Sequence, residues 1–193
     1  MAPTAAAGTA TRSRLLAATS AIIVEQGWGG VSTRRIADRA GVNPGVVHYH
    51  FGSVEELKRE ASLDAFRAMI EPFLAAAEDW SARQLVEEVA RVSVEEYAPG
   101  TAEATLIYEA LPAAARDPKL QAGLRDLLTR FRQAVAEAVR RWHPTPTVEP
   151  EVLAELLSAA IDGLQLHLLA EPDLDLPRHL APVLDLLGPE VEP

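Results

Sequence analysis

Gly41 and Pro44 stand three residues apart between two short helical patterns, and this punctuation constrains the N-terminal part of the chain more than any other feature. Ser32 is placed to cap a helix over 33–40, because a hydroxyl there can accept a first-turn amide, and Gly41 can close that helix in the left-handed conformation. Val42 and Asn43 make the turn. Pro44 suits the first position of the next helix through its fixed φ, and Phe51-Gly52 ends it. Upstream, Leu15, Leu16, Thr19, Ile22 and Ile23 recur at the i, i+1, i+4, i+7, i+8 spacing of one buried face, which predicts a helix between Thr9 and the stop at Gly27.

Three short helices with a glycine in the turn between the second and third have the geometry of a helix-turn-helix, whose later helix enters the major groove of DNA. At about 100° per residue, placing Val47 inward brings Phe51 beside it and turns Gly45 and Tyr49 to the opposite face, with Val46 and His48 flanking them. The inward side then packs on Ile36, Ala37 and Ala40.

A net charge of -10 over 193 residues argues against a nucleic-acid partner only as an average. Residues 1–53 carry Arg12, Arg14, Arg34, Arg35 and Arg39 against Glu25 and Asp38, a balance of +3, so the remainder carries -13. A basic head on an acidic body attracts phosphates at one end and repels them at the other.

Cysteine is absent, which removes disulfides and sulfur-ligated zinc and suits a reducing compartment. Residues 1–8 form an Ala-rich stretch, expected to be a disordered tail, without the pattern of a secretory signal. No apolar run approaches the roughly 18 residues of a membrane span. The expectation is a cytoplasmic protein with no membrane partner.

Beyond Ser53, a candidate cap with Glu55 and Glu56 in the following turn, a fourth helix should run from Val54 toward Ala77, with a kink or early end at Pro72. Further helices are expected at about 81–97, 101–115, 118–142, 151–170 and 177–187, separated by Pro99-Gly100, Asp117-Pro118 and His143-Pro144-Thr145-Pro146. No period-2 strand pattern occurs. The fold class is all-α, with about nine helices: a helix-turn-helix domain over 9–53, then a helical ligand-binding and dimerisation domain over 54–193.

The pattern Ile36-Ala37-x-x-Ala40-Gly41-Val42-x-x-Gly45-x-x-x-Tyr49-x-Phe51 resembles the signature of the tetracycline-repressor (TetR) family of bacterial regulators, and the likeness spans about 15–57. It implies that Thr33 and Arg34, with Ser32 and Arg35 beside them, contact backbone or base edges, and that Pro44, Gly45, Val46, His48, Tyr49 and His50 belong to the recognition helix. The residue chemistry agrees. Arg34 suits phosphate or a bidentate contact with guanine, Tyr49 offers a hydroxyl and a ring, and Val46 suits a thymine methyl. Two positions depart from the family pattern: His48 stands where Tyr is frequent, and Val54 where a Lys is. Lys58 or Arg59, one turn later, is the candidate replacement for that phosphate contact.

The same resemblance implies a double-stranded operator, a homodimer, and a cavity enclosed by the fourth to seventh helices whose small-molecule occupant shifts the fourth helix. Met69 and Phe73, Ile107, Tyr108 and Leu111, Phe131 and Val135, and Leu164 and His167 are the candidate lining residues. Gly163 in mid-helix suggests a close approach by another backbone or a ligand. The stripe of Leu153, Leu156, Leu157, Ala160, Ile161, Leu164 and Leu168, with Leu180, Val183, Leu184 and Leu187, is too wide for one small core, so some of it should meet another chain, with Leu153, Leu157, Ile161, Leu164, Leu168, Leu180, Val183, Leu184 and Leu187 as the candidates. A pair of such chains would place two recognition helices near one turn of DNA apart, roughly 34–36 Å.

Two rival readings are a helical enzyme using His167, Asp162 and Tyr108, and a small-molecule-binding module without a DNA role. No glycine-rich phosphate loop or nucleophile elbow occurs, and the five histidines do not fall at paired metal-ligand spacings, so neither catalysis, a cofactor nor a metal is expected.

Overall fold

The computed structural model describes residues 5–143 and 148–189. Among these, nine α-helices account for the fold: α1 (Ala5–Gln26), α2 (Thr33–Ala40), α3 (Pro44–Phe51), α4 (Val54–Ala76), α5 (Ala82–Glu95), α6 (Ala102–Ala114), α7 (Pro118–Trp142), α8 (Pro150–Leu168) and α9 (Leu176–Leu184). Helix α1 starts earlier than expected, so Ala5 to Gly8 are helical, while residues 1–4 of the expected tail lie outside the described residues. Helix α4 continues through Pro72 rather than stopping there.

The described chain forms two compact units, the first comprising 5–66 with 102–124 and the second 67–101 with 125–189. This division differs from a boundary at Ser53. Helix α6 packs on α1, and Arg59 on α4 meets Asp117 just before α7 at 2.7 Å. Both contacts join segments far apart in sequence, which no helical periodicity announces.

In the first unit Leu15, Ile22, Ile36, Ala37, Val47, Phe51 and Leu57 form the core that seats α3 against α1 and α2. Each short helix is fixed at both ends. Ser32 Oγ accepts the Arg35 amide at 3.4 Å, and Gly41, at φ 65°, sends its N–H back to the carbonyls of Ala37 and Asp38. Asn43 accepts the Gly45 amide at 3.0 Å ahead of Pro44. In the second unit α5, α7, α8 and α9 enclose a core that includes Leu85, Val86, Val139, Leu153, Leu157, Ile161, Leu180 and Leu187.

Candidate functional site

Helix α3 presents the face that the spacing predicts. Val47 is fully buried and Phe51 nearly so, while Gly45, His48 and Tyr49 face solvent, with Tyr49 79 % exposed. Tyr49 takes no part in the core and contacts only the His50 ring among the aromatic side chains, which leaves most of its surface open. Gly45 does not need positive φ, and a Cβ there would meet only Asn43 Oδ1 at 3.4 Å. The chain itself therefore does not demand glycine at 45, whereas a backbone pressed against a duplex would. Val46 is half-buried against the core, which leaves only part of its surface for a base methyl. His48 Nδ1 lies 3.0 Å from the Gly52 carbonyl, which can only accept, so Nδ1 is the donor and Nε2 is left without a hydrogen bond among the described residues. His50 is half-buried, edge to face with Tyr49 at 5.2 Å and tilted against Phe51 at 6.5 Å.

The arginines of this unit divide by engagement. Arg39 is held by both carboxylate oxygens of Glu25, at 2.6 and 2.7 Å, and Arg12 pairs with Glu60 beneath the face of Phe51. Arg35 donates to the Gly30 carbonyl at 2.6 Å. Arg34 remains extended, 89 % exposed, with only a loose 3.8 Å approach to Asp38. Arg14, also exposed, touches the Ala40 carbonyl at 3.5 Å and Thr11, with no carboxylate partner among the described residues. It is a cation that the motif does not include. Ser32 and Pro44 are exposed and Thr33 half-buried at the two helix starts.

Lys58 is a correction. Its ammonium is turned inward, 2.8 Å from Glu55 and 4.9 Å over the Trp28 ring, and the residue is 5 % exposed. Arg59 is likewise taken, by Glu56 and Asp117. Neither replaces the phosphate contact missing at Val54, because each is spent on a partner in its own unit.

The second unit holds a cavity of about 60 Å³ between α4, α5, α7 and α8. Met69, Phe73 and Phe131 line it as expected, the two rings meeting edge to face at 6.4 Å. The other candidates do not. Val135 is buried in the core, Leu164 packs half-buried against that core, and His167 is exposed at the end of α8. Ile107, Tyr108 and Leu111 belong to α6, in the first unit, so they line no part of this cavity. The periodicity of α6 showed that one face is apolar but not which neighbour covers it. The lining residues outside the sequence candidates include apolar ones, Ile70, Val89, Val92, Leu128 and Ile161, and four polar ones, Ser93, Ser158, Asp162 and Gln165. Their signal was present, since 158, 162 and 165 share one helical face at i, i+4, i+7 spacing. Asp162 and His167, joined in the enzyme reading, do not share this site.

The expected dimer stripe also needs correction. Leu153, Leu157, Ile161, Leu168, Leu180, Leu184 and Leu187 are buried in the core of their own chain, and Leu164 and Val183 pack against them. Of the wide stripe Leu156 stays exposed, on a face of α8 that also bears exposed Val152 and Leu166, with half-buried Gly163 between. Among the described residues nothing beyond the helix's own backbone comes within 4 Å of a Cβ at Gly163, so they do not make the close approach inferred for it.

Among the described residues no helix is long and apolar enough to cross a membrane, and no group of three or more metal-ligating side chains occurs.

Comparison with known proteins agrees with this geometry along most of the chain. Residues 15–61 match the family described as bacterial regulatory proteins, tetR family, and residues 80–189 match the tetracyclin repressor-like C-terminal domain. A candidate transcriptional regulator from Streptomyces coelicolor A3(2) is 31 % identical, superimposes with a TM-score of 0.73, and covers 92 % of this chain and 98 % of its own. Another from Saccharomonospora viridis, solved in complex with choline, has the same fold at 20 % identity and TM-score 0.74, over 95 % of this chain and all of that one. An HTH-type transcriptional regulator of Mycobacterium tuberculosis is 26 % identical over 170 residues, 86 % of this chain and 87 % of its own length.

Proposed function

This chain belongs to the TetR family of bacterial transcriptional regulators, and from that footing we propose that it is a homodimeric repressor released from its operator by a small molecule. The observation that carries the DNA-binding half is the outward face of α3, where Tyr49 stands exposed beside a glycine that the chain does not itself require. In the same unit Arg34, exposed with only Asp38 at 3.8 Å, and Arg14, exposed with no carboxylate partner among the described residues, are cations suited to phosphate. Ser32, Thr33, Arg35, Pro44, Val46 and His50 are proposed to position the two helices on the backbone rather than to read bases.

His48 fits a base rather than a phosphate. With Nδ1 donating to Gly52, Nε2 can accept from an exocyclic amino group of adenine or cytosine in the major groove.

The sensing half rests on the cavity of the second unit. The choline found in a protein of the same fold supports small-molecule occupancy as a use of this architecture. Helix α4 begins at Val54, directly after α3, and carries Met69, Ile70 and Phe73 into the cavity wall, so its occupant has a continuous helix through which to act. Pairing through the open α8 face would bury three exposed apolar side chains, Val152, Leu156 and Leu166, which share one side of the helix with half-buried Gly163 at i, i+4, i+11, i+14 spacing. No catalytic constellation supports an enzyme. Duplexes selected by the protein should bind with affinity that falls steeply between low and moderate salt, and ligands of the cavity should weaken that binding; a salt-independent or ligand-indifferent affinity contradicts the reading.

A further inference from the structure

The cavity wall is chemically two-sided. Met69, Ile70, Val89, Val92 and the paired rings of Phe73 and Phe131 make it apolar, while α8 contributes Ser158, Asp162 and Gln165 along one edge. Ser158 Oγ is buried without a hydrogen-bond partner. Gln165 Nε2 donates to Ser93 Oγ, which in turn donates to the Val89 carbonyl at 2.6 Å. Among the described residues Asp162 has no hydrogen bond or ion pair, and Arg132 acts on it as a cation at a distance.

A carboxylate in such a place is costly unless something pairs with it, since burial favours the neutral form. Its carboxyl is held above the usual aspartate range, chiefly by desolvation and only partly offset by Arg132. Asp162 is nevertheless exposed as a residue, so water reaches its carboxylate, while it also lines the cavity. An unpaired acceptor reachable from an apolar cavity, one turn from an unpaired hydroxyl on the same helix face, describes one half of a binding site.

Resting on the sensor reading above, we propose that the effector is an amphipathic primary or secondary ammonium, its N–H groups on Asp162 and Ser158 and its apolar body against Phe73 and Phe131. The need for donors follows from the acceptors: a carboxylate and an unsatisfied hydroxyl both take protons, and charge-assisted N–H···O⁻ bonds are the strong ones. A quaternary ammonium supplies charge without donors, and two phenylalanines packed against each other present less of a cationic cage than open Trp or Tyr faces. Anions are repelled. Neutral alcohols satisfy Ser158 but leave the carboxylate unpaired. The size of the cavity favours a compact ligand.

The test uses the full-length protein and four probes of one shape: benzylamine, benzyl alcohol, benzyltrimethylammonium and benzoate. Titration calorimetry near neutral pH should show benzylamine binding best, and Asp162→Asn should weaken it by roughly tenfold or more while leaving benzyl alcohol unchanged. Ser158→Ala, which preserves the carboxylate, should cost benzylamine a smaller factor. Circular dichroism and melting of each variant separate lost binding from lost folding. Equal binding of benzylamine and benzyl alcohol, failure of benzylamine to bind, or an Asp162→Asn variant that binds it undiminished overturns the assignment. Should benzyl alcohol or benzoate bind and weaken the operator complex where benzylamine does not, the ammonium assignment falls and the sensor reading stands.

Discussion

Glu109 Oε2 on α6 accepts the backbone N–H of Trp28 at 2.7 Å, tying the turn after α1 to a helix more than eighty positions further along the chain. Gly27, at φ 73°, turns the chain so that this amide points at the carboxylate. Losing a charged acceptor from a half-buried amide costs about 1–3 kcal/mol. Glu109→Ala should therefore lower the urea midpoint of unfolding, and Glu109→Gln, which keeps an acceptor oxygen, should recover part of the loss. A Glu109→Ala protein as stable as wild type would mean that water replaces the carboxylate without cost.

Arg34 and Lys58 should behave oppositely on DNA. Arg34→Ala is expected to weaken binding and to lower the slope of log affinity against log salt by about one, because one released counterion is lost. Lys58→Met should leave that slope unchanged, since its ammonium is already held by Glu55 over Trp28. Fluorescence anisotropy across a salt series distinguishes them. An equal slope change in both variants would place Lys58 on phosphate after all.

The proposed pairing through the α8 face has a direct test. Leu156→Glu and Leu166→Glu place a charge on a surface already exposed in the monomer, so they should shift sedimentation toward monomer while preserving helicity. Gly163→Ala fills space that is empty within the chain and removes a mid-helix glycine, a gain of up to about 1 kcal/mol for the monomer. If α8 pairs closely at Gly163, the same substitution weakens the dimer. Unchanged sedimentation in the glutamate variants rules this face out as the interface.

Asp117 carries a pH-dependent share of stability. Desolvation pushes its carboxyl up, but the hydrogen bond from Arg59, the amides of Leu120 and Lys119 and the charge of Arg59 together outweigh it, and the folded-state pKa lies below the ordinary aspartate value. The folded state thus binds a proton less readily than the unfolded one, so the stabilisation is complete above the unfolded pKa and disappears as pH falls through the folded one. Asp117→Asn should be less stable than wild type at neutral pH, and the two should converge in strong acid. Parallel pH profiles would contradict this.

Asp162 has the reverse sign. Its raised pKa means that stability is lost as pH climbs from the ordinary aspartate value through the raised one, with the cost persisting above it. Asp162→Asn should be more stable than wild type at neutral pH, with the gain vanishing in acid. This is the cost expected of a group kept for binding rather than for folding. A destabilised Asp162→Asn at neutral pH would show that the carboxylate has a partner in the folded chain.

The helices and the inward set of α3 were legible in the sequence because they depend on local rules: caps at Ser32 and Asn43, the left-handed Gly41, and 3.6-residue periodicity that put Val47 and Phe51 inside. What could not be read depends on which neighbour covers a face. Leu153, Leu157 and Leu180 were apolar at helical spacing whether they met the same chain or another, and burial in their own core decided it. Lys58 could have reached outward equally well, until Glu55 and Trp28 fixed its direction. Ile107, Tyr108 and Leu111 had the composition of a pocket wall, but α6 packs on α1. Periodicity assigns a face, and only tertiary packing assigns its partner.

The central claim is that the outward face of α3 reads DNA sequence, and Tyr49 is its most exposed side chain. Selection of bound duplexes from a random pool by wild type and by Tyr49→Ala tests it most directly, because Tyr49 contributes nothing to the core and its loss leaves the fold intact. Wild type should enrich a two-fold-related sequence, and Tyr49→Ala should lose preference at symmetric positions within it. Enrichment of the same sequence by both, or of none by the folded wild-type protein, would contradict the account.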